Sequence, residues 1–126
     1  DPKFLTHKGF KVSDISDCGI NLMYLPLAED AEQPRFKDCA RHPKVSETGF
    51  VLYYTDQCPF IAQRIEKLRA YCATHEIPAA FLHVETTEQA KMLPCPFNNW
   101  AVFYGGRFAT VNQLDGAGVQ KLLARG

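Results

Sequence analysis

The run Gly49-Phe50-Val51-Leu52-Tyr53-Tyr54-Thr55-Asp56-Gln57-Cys58-Pro59-Phe60-Ile61 constrains this chain more than any other stretch. An apolar, aromatic segment ends in a short polar turn and a Cys-Pro pair, and a helical pattern begins at once. Ile61, Ile65, Leu68 and Cys72 recur at offsets of four, three and four, so they share one helix face. The run therefore reads as a buried strand feeding straight into an amphipathic helix. Cys58 falls at that helix's N-terminus, where unpaired backbone N–H groups and the macrodipole favour a thiolate.

The rest of the chain from residue 49 onward alternates strand with helix. Val51 to Thr55 is the first strand and Phe60 to Thr74 the first helix, stopped by His75-Glu76-Ile77-Pro78. Ala80 to Val84 is a second strand. Thr86-Thr87-Glu88-Gln89 fits a capping box, opening a short helix that ends near Leu93, before Pro94. Trp100 to Tyr104 is a third strand, Gly105-Gly106 a hairpin turn, and Arg107 to Val111 the antiparallel return. Leu114 to Arg125 closes the unit as a helix, with Gly116 and Gly118 near its start.

The first part of the chain differs. Phe4 to Gly9 reads as a helix end with a glycine stop. Phe10 to Ser16 and Ile20 to Leu27 read as two strands around an Asp17-Cys18-Gly19 turn. Ala28 to Thr48 is a charged connector holding Pro34 and Pro43, with a short helix over Phe36 to Arg41. Two strands and a helix stub bury little core alone, so residues 1–27 need another sheet or the following unit. The expected division is thus 1–27, 28–48 and 49–126.

Charge narrows the partners. Lysine plus arginine and aspartate plus glutamate number 14 each, so no basic field exists to draw nucleic acid or an anionic membrane surface. No apolar run approaches spanning length, and no basic, apolar leader is read at the start. The chain opens at Asp1 rather than methionine, as expected of a fragment or a processed piece. Its five cysteines, Cys18, Cys39, Cys58, Cys72 and Cys95, are odd in number and form no tight framework. A reducing cytoplasm is the expected compartment. No pair has C-x-x-C spacing, so neither a zinc ribbon nor a dithiol motif is written here.

Two family resemblances fit these parts. Tyr54-Thr55-Asp56-Gln57-Cys58-Pro59-Phe60, Pro96-Phe97 and Phe103-Tyr104-Gly105-Gly106-Arg107-Phe108 resemble the YoaP-like domain, a thioredoxin-fold module at the C-terminal end of some acetyltransferases. The element order from residue 49 is that of the thioredoxin fold in its glutaredoxin-sized form. His7-Lys8-Gly9-Phe10-Lys11-Val12 and Leu22-Met23-Tyr24-Leu25-Pro26-Leu27 resemble the last two strands of a GNAT-superfamily N-acetyltransferase. Together they imply an α/β chain: a thioredoxin/glutaredoxin-like mixed sheet with flanking helices, preceded by an acetyltransferase-derived hairpin. The parent enzyme would use acetyl-CoA. This chain has no glycine-rich turn for the pyrophosphate, because Gly116 and Gly118 lie in the last helix of the other module. It is therefore expected to hold no cofactor and to transfer no acetyl group alone.

Within that reading Cys58 is the first site candidate, a nucleophile or soft-metal ligand supported by the loop residues Gln57, Pro59 and Phe60. Asp56 would oppose its ionisation if it points at the sulfur. Ile61 stands where a glutaredoxin pattern has its second cysteine, which excludes dithiol exchange within the motif. The bland alternative is an inherited fold residue with no redox work.

Cys95 is the second candidate. By the thioredoxin resemblance it precedes a cis-proline, Pro96, and lies against Cys58 as a resolving thiol or second soft ligand. Set against this is a reduced, unpaired cysteine beside a turn. Cys39 and His42 have C-x-x-H spacing but no second pair, so no metal site is assigned. Alternatively the connector folds over Cys58 and brings Cys39 to it. Cys72 is read as inert core, and Trp100, Phe103, Tyr53 and Tyr54 as sheet packing. Arg64 could hold an anionic thiol ligand. The expected partners are an acetyltransferase core, a small thiol or soft-metal ligand, or a second copy paired through the edges of residues 10–27. In the last case the chain is a non-catalytic binding or dimerisation module.

Overall fold

The strand-forming run Phe50 to Tyr54 becomes the hub of the main sheet in the computed structural model, which describes residues 1–126. The elements are α1 (Pro2–His7), β1 (Lys11–Ile15), β2 (Asn21–Tyr24), α2 (Asp38–Arg41), β3 (Phe50–Tyr54) and α3 (Ile61–Thr74). They continue with β4 (Ala79–His83), α4 (Thr87–Lys91), β5 (Trp100–Tyr104), β6 (Arg107–Thr110) and α5 (Gly116–Arg125). β3 pairs parallel with β4 and antiparallel with β5, and β6 extends β5, so the mixed sheet runs β4-β3-β5-β6. β1 and β2 form a separate antiparallel pair.

Strand alternation divides the core between two faces of this sheet. Phe50, Leu52, Trp100 and Val102 turn to one side and pack with Ile61, Ile65 and Leu68 of α3 and Val119 of α5. Val51, Ala101 and Phe103 turn to the other side, where Cys95 joins them. The buried positions of α3 are Ile61, Ile65, Leu68 and Cys72, the face that the spacing predicts.

Local chemistry fixes the ends. A Cβ on Gly49 would stand 2.6 Å from the Pro78 carbonyl oxygen, so only glycine lets β3 start beside β4. Gly105 and Gly106 both have positive φ, 60° and 78°, as a two-residue hairpin turn requires. Thr86 and Gln89 complete the expected capping box on α4. α5 begins later than the pattern suggests because Asp115 caps it, accepting from the Gly118 N–H at 2.8 Å.

The connector links the two sheets. Arg41 bonds Asp14 at 2.7 Å, the Phe36 N–H donates to Asp14 at 3.0 Å, and Arg35 donates to the Ser13 carbonyl at 2.7 Å. Further on, the Val45 N–H donates to the Gly106 carbonyl at 3.0 Å, and Val45 packs on the Cys95 side of the main sheet. No helix is long and apolar enough to cross a membrane.

Candidate functional site

Cys58 lies in the turn between β3 and α3, which backbone groups hold at both ends. The Thr55 N–H donates to the Asn99 carbonyl at 3.1 Å, and the Ile61 N–H donates to the Cys58 carbonyl at 3.1 Å. Gln57 donates its N–H to the Thr55 hydroxyl at 3.4 Å. Phe60 is the N-cap residue and offers no side-chain bond to the first turn, so no side chain competes for that helix end. Cys58 itself is half-buried and packs against the α3–α5 core. Gln57, Pro59 and Phe60 are exposed around it, Phe60 by 69%. Ile61, where a second thiol would stand, is wholly buried, so that position serves the core.

The structure does not bring Cys95 to Cys58. Cys95 is 3% exposed and belongs to the cluster on the opposite face of the sheet, with Val51, Ala101 and Phe103. Burial pushes its thiol up to about 12, with the Cys18 and Cys39 sulfurs adding to the rise. Every peptide bond is trans, that before Pro96 included, in place of the expected cis-proline.

The remaining candidates also find other contacts. Cys39 directs its sulfur at the Lys91 carbonyl, at 4.0 Å, and not at Cys58. His42 bonds Asp17 at 2.7 Å, Cys18 bonds the Ser16 hydroxyl at 3.0 Å, and no group of three His, Cys, Asp or Glu side chains is placed to hold a metal ion. Arg64 donates to the Leu114 carbonyl at 3.4 Å. Cys72 is buried on α3, which raises its thiol. All five cysteines are free.

One arrangement escapes the sequence reading. His83, at the end of β4, places Nε2 at 2.8 Å from an Asp56 oxygen and Nδ1 at 3.3 Å from a Glu85 oxygen. Its ring stacks on Tyr54 with centroids 4.9 Å apart. The trio borders an open cleft of about 620 Å³, reaching from Thr55 and Gln57 to Thr87 and Asn98. The parallel register that sets Tyr54 beside His83 is the signal that could have found it, because it carries Asp56 past the end of β4. The cleft lies at the carboxyl ends of β3 and β4, where open α/β sheets bind ligands.

Comparison with known proteins adds a family context. Residues 78–123 match the family model described as YoaP-like, a range that opens after the Cys58 loop. The chain is 30% identical over 123 residues to the "Uncharacterized N-acetyltransferase YoaP" of Bacillus subtilis (strain 168). That alignment takes in 98% of this chain and 49% of the relative, so the chain spans about half the length of the curated protein it matches. No solved structure matches.

Proposed function

We propose that this chain is the C-terminal part of a GNAT-superfamily N-acetyltransferase, and that residues 49–126 form a thioredoxin-like accessory module with Cys58 as its reactive thiol. The observation that carries the reading is the strand order β4-β3-β5-β6, with Cys58 in the turn from the central parallel strand into α3. A mixed four-stranded sheet of that order, with one antiparallel hairpin at its end, is what the resemblance implies. Free cysteines throughout agree with a reducing, cytoplasmic setting.

Acetyl-CoA binding falls to the rest of the parent protein. The glycines at the start of α5 do not fit a pyrophosphate: a Cβ on Gly116 would meet the Tyr71 ring at 2.7 Å, and one on Gly118 would meet Leu114 at 2.9 Å. The Gly118 N–H is already given to Asp115, whose carboxyl that bond holds below the usual range and therefore charged. A fixed carboxylate at the helix start opposes a second anion.

The thiol reading is tested by the pH dependence of alkylation at Cys58, followed by peptide mass spectrometry. A midpoint clearly below about 8.5, the free-cysteine value, supports a tuned thiolate. A midpoint at or above it overturns the reading. A second reading, a binding or dimerisation module, is favoured by Val12, Ile15, Leu25 and Leu27, which stand exposed on or beside the isolated β1–β2 pair. These apolar side chains and unpaired strand edges suit the missing part of an acetyltransferase sheet or a second copy. Molar mass in solution distinguishes them: a monomer favours the parent's own core, a dimer the second copy.

A further inference from the structure

α3 and α5 meet on the Trp100 face of the sheet, where Gln120 donates to the Tyr71 hydroxyl at 2.8 Å. Beside that contact lie two grooves of about 220 and 470 Å³, and Arg64 and Asp115 line both. Lys67 of α3 borders the smaller, Lys121 and Arg125 of α5 the larger. Four cations thus face one carboxylate, in a chain that carries 14 charges of each sign. None of the four is in an ion pair. Arg64 is the fixed member: Nη1 donates to the Leu114 carbonyl at 3.4 Å, and the buried Nε has no partner. Phe60, 69% exposed, rims the smaller groove.

Asp115 decides which kind of anion suits this surface. It stands where the two grooves adjoin, with Oδ1 given to the Gly118 N–H. A compact polyphosphate presents only acceptors to that carboxylate and is repelled. An acidic peptide brings carboxylates to the flanking cations and backbone N–H groups to Asp115 between them. This chain carries such a segment. Glu29, Asp30 and Glu32 are exposed and form no ion pair, and Leu27 just before them is 89% exposed. They offer three carboxylates and an apolar side chain to four cations and the Phe60 ring.

The segment lies away from its own groove. Its connector meets the main sheet on the Cys95 face through Val45, whereas α3 and α5 cover the other face. We propose that the α3–α5 groove docks the Leu27–Glu32 segment of a second copy, so that copies associate head to tail. One such contact leaves a free segment at one end and a free groove at the other, so the assembly does not close at two. Pairing through the β1–β2 edges differs, because it joins like to like and closes. The docking stands whether or not Cys58 is a working thiol.

The test is sedimentation velocity on this chain at rising concentration, in about 10 mM and about 1 M salt, where charges are screened over about 30 and 3 Å. The high-salt mass is the baseline, since screening leaves any apolar β1–β2 pairing in place. At low salt the mean mass should climb with concentration past two chains, with association at least about tenfold stronger than at high salt. Glu29→Gln/Asp30→Asn/Glu32→Gln disables the segment, and Lys67→Gln/Lys121→Gln/Arg125→Gln disables the groove; all six side chains are exposed, which spares the core. Each variant alone should stay at the baseline in low salt. Mixed in equal amounts they should rise above it, to two chains from a one-chain baseline, because the mixture holds one working segment and one working groove. Lys3→Gln/Lys8→Gln/Lys11→Gln, with the same net charge as the groove variant, should associate like the unaltered chain. The docking is overturned if the unaltered chain stays at its baseline in low salt or stops at two chains. It is equally overturned if either charge variant alone associates like the unaltered chain, if their mixture stays at the baseline, or if the Lys3, Lys8 and Lys11 variant fails to associate.

Discussion

Burial pushes the Cys95 thiol up to about 12 from an ordinary 9.0, which keeps it protonated wherever Cys58 could react. A raised thiol is stabilised in its neutral form, so its contribution to folding is complete below pH 9.0 and is lost as pH climbs toward about 12. Native alkylation at pH 8 should therefore label Cys58 at least about tenfold faster than Cys95, given the buried thiol's inertness. Equal rates would mean that the loop from Leu93 to Asn99 opens readily. Cys95→Ser puts a hydroxyl among Val51, Ala101 and Phe103 and should cost about 1–3 kcal/mol in denaturant unfolding. Ile61→Ala opens a cavity at a wholly buried position on the other face, at about 2–5 kcal/mol. The two sites lie in separate clusters, so their costs should add.

At the scale of elements, α4 is too short to stand on its own propensity and depends on its ends. Thr86→Ala removes the hydroxyl that accepts from the Gln89 N–H at 3.1 Å and should destabilise the chain by about 1 kcal/mol, read as a lower thermal midpoint. Thr86→Ser should restore most of it. That capping box was legible in the sequence, and so were the α3 face and the Gly105-Gly106 turn, because each is written in residues close along the chain. The Cys58–Cys95 pairing and the His83 trio are not local. Whether residue 95 meets residue 58 depends on the face of β5 against which its loop folds. Whether residue 83 meets residue 56 depends on the register of a parallel pair joined through a helix. Side-chain period and capping chemistry do not encode either choice. The His42–Asp17 and Arg41–Asp14 links escaped the reading for the same reason, since they join segments about 25 residues apart.

For the molecule as a whole, the connector is the segment on which the relation of the two sheets depends, and Asp14 gathers much of its anchorage. The side-chain bond from Arg41 holds the Asp14 carboxyl below its ordinary 3.8, the Phe36 and Ile15 N–H groups help, and burial opposes them. A lowered carboxyl contributes stability that is present above pH 3.8 and is lost as pH falls through the lowered value. Acid should thus free residues 28–48 from β1 while the α3–α5 core, which rests on apolar contacts, still holds. Asp14→Asn should reproduce this at neutral pH by deleting the charge. Trypsin would then cut at Arg35, Lys37 or Arg41 severalfold faster than in the parent chain, while the main thermal transition changes little. The asymmetry follows from where the bonds lie. Arg35, Phe36 and Arg41 all reach β1, whereas Val45 has its own bond to Gly106 on the main sheet. If the Asn variant were cut no faster, the Arg35 side-chain bond to the Ser13 carbonyl and the bond from the Asp17 N–H to the Arg41 carbonyl, at 2.8 Å, would be sufficient anchors. If it lost the main transition as well, the two sheets would unfold as one cooperative unit, and residues 49–126 would not be separable from the hairpin that precedes them.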